Sequence, residues 1–308
     1  MISADLEEAA DMMCCASCGI AEVDDIKLKK CDDCDLVRYC SDKCQQEHRP
    51  KHEAMCKERV AGLRDEILFR QPESTHLGDC PICFLPLSID TDKSMLTACC
   101  NKMICNGCAY ANGMRQLKDR LEYTCPFCRY HYSAKTFEES KRNKMKRIEA
   151  NDPAEIRRMG SKHYDDGDYS GAFECWTKAA GLGDIDAHFC LSILYRKGEG
   201  VEKNEKKQIY HLDEAAIAGH PRARISLACH EGENNRSDRA VKHLMIAANL
   251  GYDKSLQVLR ECYVHGEVSK GDFAAALRAH QAAKDEMKSP QREAAAKAEA
   301  AGKVWIEI

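Results

Sequence analysis

The chain has 308 residues, a formal charge of -4, 44% apolar and 6% aromatic residues, and 20 cysteines. This length and composition suggest about two to three domains rather than one large core. An acidic balance makes a poor general nucleic-acid binder, and no apolar run approaches the ~20 residues of a membrane helix. Residues 1–13 form an acidic tail with Asp5, Glu7, Glu8 and Asp11, and carry no signal-peptide pattern. The cysteines are therefore expected in a reducing, intracellular compartment, cytoplasmic and/or nuclear. There metal is favoured over disulfide.

Residues 14–57 carry Cys15-x2-Cys18, Cys31-x2-Cys34, Cys40-x3-Cys44 and His52-x3-Cys56. The x2 pairs suit zinc loops. The x3 pairs lie one helical turn apart, which predicts two short helices for Cys40/Cys44 and His52/Cys56. Tyr39-Cys40-x3-Cys44-Gln45 and the closing His-x3-Cys resemble a MYND zinc finger. The resemblance implies one ion on Cys15, Cys18, Cys40 and Cys44, and a second on Cys31, Cys34, His52 and Cys56. His48 stands where that family commonly has tryptophan, which weakens its peptide surface and not its metal sites. Cys14 is out of register and reads as a spare thiol; Tyr39 reads as core. MYND fingers also accompany SET methyltransferase domains, but no SET signature is found.

Residues 58–78 read as a helical spacer, with Val60, Leu63, Ile67 and Leu68 at helical spacing and Pro72 as its stop.

Residues 79–132 hold Cys80-x2-Cys83, Cys99-Cys100, Cys105-x2-Cys108 and Cys125-Pro126-Phe127-Cys128. Eight thiols at this spacing suit two zinc ions; disulfides and inert buried thiols are the competing readings. The order resembles a RING domain. The resemblance implies a cross-brace, with Cys80, Cys83, Cys105 and Cys108 on one ion and Cys99, Cys100, Cys125 and Cys128 on the other. The family's usual histidine is missing. Either Cys99 and Cys100 both ligate, the preferred reading, or Cys100 ligates alone and Lys102 falls in the histidine position. The resemblance also makes Ile82, Pro126 and Arg129 contacts for a ubiquitin-conjugating enzyme and for ubiquitin. Local core, a turn and a solvated charge are the plainer readings of these three. Residues 108–122 read as the family's central helix.

Residues 133–152 read as a basic linker. Lys141, Arg142, Lys144, Lys146 and Arg147 could be a nuclear localisation signal, a nucleic-acid patch or a solvated face. Asn151 or Asp152 offers an N-cap before Pro153. Over residues 153–288 the chain repeats. Ala179-Ala180-x2-Gly183 recurs at Ala215-Ala216-x2-Gly219 and at Ala247-Ala248-x2-Gly251. Trp176, Leu212 and Leu244 precede these motifs. Ala187, Ala223 and Ser255 follow, then Leu191, Leu227 and Leu259. This period signals a two-helix solenoid. Leu191, Tyr195, Gly198-Glu199-Gly200-Val201 and Ala215-Ala216 resemble a Sel-one-like repeat, a relative of the tetratricopeptide repeat. A degenerate unit over residues 273–287 reads as a cap. Cys175, Cys190, Cys229 and Cys262 read as buried small residues, and His188, His230 and His243 show no ligand pattern. Residues 289–308 read as a helix stopped by Gly302, then a short apolar tail.

The expected fold is multidomain: two small zinc-bound α+β modules followed by an all-α helical-repeat solenoid. It calls for four Zn2+ in closed sites and no catalytic metal. The leading functional reading is a RING-type ubiquitin ligase that positions a charged conjugating enzyme, so no nucleophile is required. The MYND finger and the repeats would recruit protein or peptide partners. The alternative is a non-catalytic adaptor whose zinc fingers are purely structural. A nucleic-acid regulator is a third reading and rests only on Lys141 to Arg147.

Overall fold

The structure, a computed structural model, describes residues 14–22, 26–131 and 137–302. The acidic tail, residues 132–136 of the second zinc module and the basic linker, and the last six residues lie outside the described residues. The chain forms two compact units, residues 1–70 and 71–308.

In the first unit β1 (Lys29–Lys30) pairs antiparallel with β2 (Arg38–Tyr39). Cys14 makes an antiparallel bridge with Ala21, outside any cysteine cluster. One helix follows, α1 (Asp42–Leu68), 27 residues long. The Ser41 side chain caps it by accepting from the Cys44 amide at 3.3 Å. This corrects the expectation of two short helices: Cys44, His52 and Cys56 share α1, and Cys40 stands just before it. Pro50 lies inside the helix, where a proline ordinarily costs about 3 kcal/mol through its missing N–H and its ring clash. Cys44 and His52 lie on either side of it in two different clusters, so each cluster anchors one half of the helix. The expected spacer begins as the last turns of α1. Leu68, four residues before Pro72, is the last helical residue, and the Phe69 amide closes the end on the Asp65 and Ile67 carbonyls.

The second unit begins at residue 71. A 3-10 turn (Thr91–Lys93) leads into a hairpin, β3 (Ser94–Leu96) against β4 (Met103–Cys105), with Met95 opposite Ile104. Helix α2 (Asn106–Lys118) follows directly. Leu87, Ile104 and Ala109 pack with Cys80 and Cys105 in its small core. The expected basic linker is helix α3 (Phe137–Glu149), with Arg147 and Ile148 in its last turn. Ile148 packs on the first solenoid core.

The solenoid runs through α4 (Pro153–Asp165), α5 (Tyr169–Gly181), α6 (Ile185–Lys197), α7 (Glu205–Ile217), α8 (Pro221–Glu233), α9 (Ser237–Asn249), α10 (Asp253–Val264) and α11 (Lys270–Glu286). Helices pack as α4 with α5, α6 with α7 and α8 with α9, and each pair packs on the next. The repeated Ala-Ala-x2-Gly is a helix terminator. Gly183, Gly219 and Gly251 have φ of +90°, +82° and +81°. The amides of Asp184, His220 and Tyr252 reach back to the carbonyls of Ala179, Ala215 and Ala247 at 3.0, 3.0 and 3.2 Å. That is a Schellman motif, in which glycine takes the left-handed position. The residue after each glycine then becomes the N-cap of the next helix. The recurring positions Trp176, Leu212, Leu244, Ala187, Ala223, Ser255, Leu191, Leu227 and Leu259 are all buried. The last helix, α12 (Pro290–Ala300), packs against α2.

Candidate metal centres

The four Cys-x2-Cys turns of the zinc-loop type share one backbone form. The amides of Gly19, Asp35, Phe84 and Arg129 return to the carbonyls of Cys15, Cys31, Cys80 and Cys125 at 2.8, 3.2, 2.8 and 3.0 Å. Each of these four residues has positive φ, between +56° and +76°. Glycine adopts that region freely; Phe84 and Arg129 do not, so the turn is imposed by what the flanking thiols must hold.

Among the described residues the structure gathers four tetrads: Cys15, Cys18, Cys40 and Cys44; Cys31, Cys34, His52 and Cys56; Cys80, Cys83, Cys105 and Cys108; Cys99, Cys100, Cys125 and Cys128. Within each, the ligand atoms lie within 4.8 Å of one another. Sulfur pairs stand at 3.5 Å (Cys18–Cys40), 3.9 Å (Cys31–Cys56), 3.8 Å (Cys83–Cys105) and 3.4 Å (Cys99–Cys128). Four sulfurs at a Zn–S bond of about 2.3 Å would stand roughly 3.8 Å apart, so these edges fit zinc. His52 points Nε2 at Cys34 Sγ, 3.1 Å away. It stacks on His48, whose Nδ1 is 3.1 Å from the Tyr39 hydroxyl. Tyr39 is buried, and the position usually held by tryptophan is thus tied into the ligand shell.

Thiols this close cannot all ionise without a cation. A hydrogen bond from Cys105 leads those that pull the Cys80 thiol down to about 4, and the same contact drives Cys105 well up. Contact with Cys18 and Cys44 pushes Cys40 up to about 12, whereas backbone donors overcome burial and bring Cys15 down to about 6. A divalent ion at the centre removes this conflict and releases the protons. Each tetrad is closed, with no ligand position left for substrate, which is the mark of structural zinc.

Cys99 and Cys100 both join the fourth tetrad, which is complete with Cys125 and Cys128. The hairpin turn sets them there. The Thr97 amide and hydroxyl both bond the Lys102 carbonyl at 2.9 Å, and Asn101 takes φ of +58°. Ile82 is 36% exposed, Phe127 42% and Phe84 76%. Arg129 is exposed, Pro126 half-buried, and none of the five belongs to a tetrad.

A fifth cluster escaped the sequence. His76 Nε2 and His220 Nε2 lie 3.1 and 3.3 Å from Asp186 Oδ1. Arg157 holds Asp186 Oδ2 at 3.2 Å and Asp184 at 2.9 Å. His220 Nδ1 accepts from the Ala223 amide at 3.1 Å, so its proton sits on Nε2 and is donated to Asp186. A nitrogen bearing that proton cannot bind a metal. This is a hydrogen-bonded node that ties residues 74–76 to α6 and α8. His76 and His220 are 144 positions apart in sequence, and no local spacing announces them.

The chain matches the MYND finger family over residues 15–56 and carries a MYND zinc finger there. A curated relative, "Putative beta-lactamase HcpC" of Helicobacter pylori strain J99, is 41% identical over 56 residues, 18% of this chain and 19% of that protein. The chain thus spans about a fifth of that relative's length. Among solved structures, a Sel1 repeat protein from Oxalobacter formigenes aligns at 24% identity and TM-score 0.40, over 54% of this chain and 71% of that one. The protein c5321, a protective antigen of uropathogenic Escherichia coli with an SLR fold, aligns at 19% identity and TM-score 0.39, over 57% and 38%. Fold and clusters together define a zinc-finger protein whose finger module is followed by a helical-repeat solenoid. No helix of the described residues is long and apolar enough to cross a membrane.

Proposed function

We propose that this chain is a RING-type ubiquitin ligase whose second zinc module positions a ubiquitin-conjugating enzyme. The observation that carries the reading is the exposed apolar residue Ile82 inside one zinc loop, with the exposed cation Arg129 directly after the last ligand of another. The rigid zinc loops would hold both, and catalysis would be orientation of a thioester already made. Ile82 and Pro126 would seat the conjugating enzyme; Arg129 would reach ubiquitin. The MYND finger and the helical repeats would recruit protein or peptide partners.

The test is discharge of ubiquitin-loaded conjugating enzymes to free lysine, across a broad panel. Ile82→Ala should weaken the enzyme's docking by about 1 kcal/mol or more, roughly fivefold or greater. Arg129→Ala should spare docking and slow discharge. Neither should release zinc, whereas Cys83→Ser should unfold the module. A wild type that accelerates none of the panel hands the role to a non-catalytic adaptor.

A further inference from the structure

We propose that Arg292 is a positioning residue of the Cys80/Cys83/Cys105/Cys108 centre, and that α12 is a working part of that zinc module. The proposal rests on the zinc reading of that tetrad.

Four thiolates around one Zn2+ leave a net charge of about -2. At this centre Cys80 and Cys105 are 0% and 2% exposed. Buried charge without a partner is unfavourable. The nearby chain supplies no cation: residues 79–92 contain Asp79, Asp90 and Asp92 and neither lysine nor arginine, and residues 103–109 contain no charged side chain. Lys93 is turned to Asp90 at 3.3 Å. The fourth tetrad differs, since Arg129 directly follows its ligand Cys128, Lys102 lies two residues after Cys100, and Arg147 bonds the Cys99 carbonyl.

The missing cation arrives from 209 positions away. Arg292 Nη2 lies 3.6 Å from Cys83 Sγ and 3.1 Å from the Leu85 carbonyl, and Nη1 donates to the Pro86 carbonyl at 2.7 Å. The planar fork thus spans the zinc loop and a thiolate at once, which a lysine cannot reproduce. Nη1 also bonds the Met287 carbonyl at 2.9 Å, which fixes the side chain at the start of its own helix. The Ser289 hydroxyl caps that start by accepting from the Arg292 amide at 3.2 Å.

Gly107 makes the approach possible. A Cβ there would lie 2.6 Å from the Arg292 amide nitrogen and 2.8 Å from its Cα. Gly107 sits between Cys105 and Cys108 on helix α2 with ordinary helical geometry, so its lack of a side chain serves the partner backbone and not its own. Ala295 and Ala298, one and two turns further along α12, are buried as well. An N–H···S bond withdraws charge from a zinc thiolate. Arg292 therefore holds the metal and lowers the nucleophilicity of Cys83.

The experiment uses the zinc-loaded full chain. Zinc release to a chromogenic chelator is followed, together with peptide-resolved alkylation of Cys83 against Cys125 as internal reference. Loss of an outer-shell partner typically weakens metal binding 10–100-fold. Arg292→Met should accelerate release of one zinc by about that factor, with Cys83 alkylated faster and Cys125 unchanged. Arg292→Lys should fall between. Gly107→Ala should reproduce the effect with Arg292 still in the sequence; alanine favours helix, so the loss cannot be assigned to a weakened α2. If Arg292→Met fails to fold, Gly107→Ala and Arg292→Lys carry the test. Four zinc per chain with unchanged release and unchanged Cys83 reactivity overturns the proposal. A wild type in which Cys80, Cys83, Cys105 and Cys108 all alkylate as free thiols overturns the zinc reading beneath it.

Discussion

Gly160 meets the edge of Trp176. A Cβ on Gly160 would lie 2.6 Å from both Cδ1 and Nε1 of the indole, whose N–H donates to the Arg157 carbonyl at 3.1 Å. The first helix pair of the solenoid therefore crosses at a bare point of α4. Gly160→Ala gains helix propensity of about 1 kcal/mol but forces the ring out of place; overpacking of this kind typically costs about 1–3 kcal/mol. Chemical denaturation should show a net loss of stability. A more stable variant would mean that the seam has slack.

Two glycines in equivalent turns separate backbone strain from docking. Gly183 and Gly219 both have positive φ, but a Cβ on Gly183 meets nothing within 4 Å, whereas one on Gly219 would lie 2.4 Å from the Ser74 carbonyl oxygen. Gly183→Ala should lose about 1 kcal/mol, the usual left-handed penalty. Gly219→Ala should lose more and loosen residues 74–76, seen as faster amide exchange at His76, whose N–H bonds the Gly219 carbonyl. Equal losses would show that this contact contributes nothing.

Metal content distinguishes the adjacent cysteine pairs. Protein purified without added metal should hold close to four zinc per chain. Cys99→Ser should lower the count toward three, because its Sγ stands 3.4 Å from that of Cys128. Cys14→Ser should leave the count unchanged, since Cys14 belongs to no tetrad.

Acid should destabilise the solenoid before its carboxylates titrate. Burial, with the neighbouring Arg224 and Arg239 cations, pushes the fully buried His243 down to about 3; burial and His188 push His211 down to about 4. Both imidazoles are neutral in the fold, while the unfolded chain takes up protons near pH 6.5. The unfolded state thus binds more protons below that pH. The stability is complete above about 6.5 and is lost as pH falls toward the folded values. The melting temperature of zinc-saturated protein should fall between pH 7.5 and 5, and His243→Gln should flatten that slope. An unchanged slope would show that His243 takes up its proton in the fold as it does in the unfolded chain.

What the sequence made legible was local. Zinc-loop spacing and the Ala-Ala-x2-Gly terminator each occupy a few residues, and each encodes one turn. What stayed hidden was long-range or continuous. His76 and His220 meet only because two separate turns face each other across Asp186. Arg292 read as one charge in a strong helix former, with nothing nearby to mark it as a thiolate's partner. The continuity of α1 was masked because x3 pairs look alike whether they sit on two helices or one.

The closure of α12 on the second zinc module has a consequence for synthesis. Cys83 and Arg292 are 209 residues apart. At roughly 5–20 residues per second, a translating ribosome needs on the order of 10–40 s to cover that span. All four thiols of the centre leave the ribosome long before their guanidinium does. During that interval the nascent centre is at its most open to oxidants and competing metals. Any stall within the repeats prolongs the exposure, so the yield of correctly loaded protein should depend on how fast the solenoid is translated.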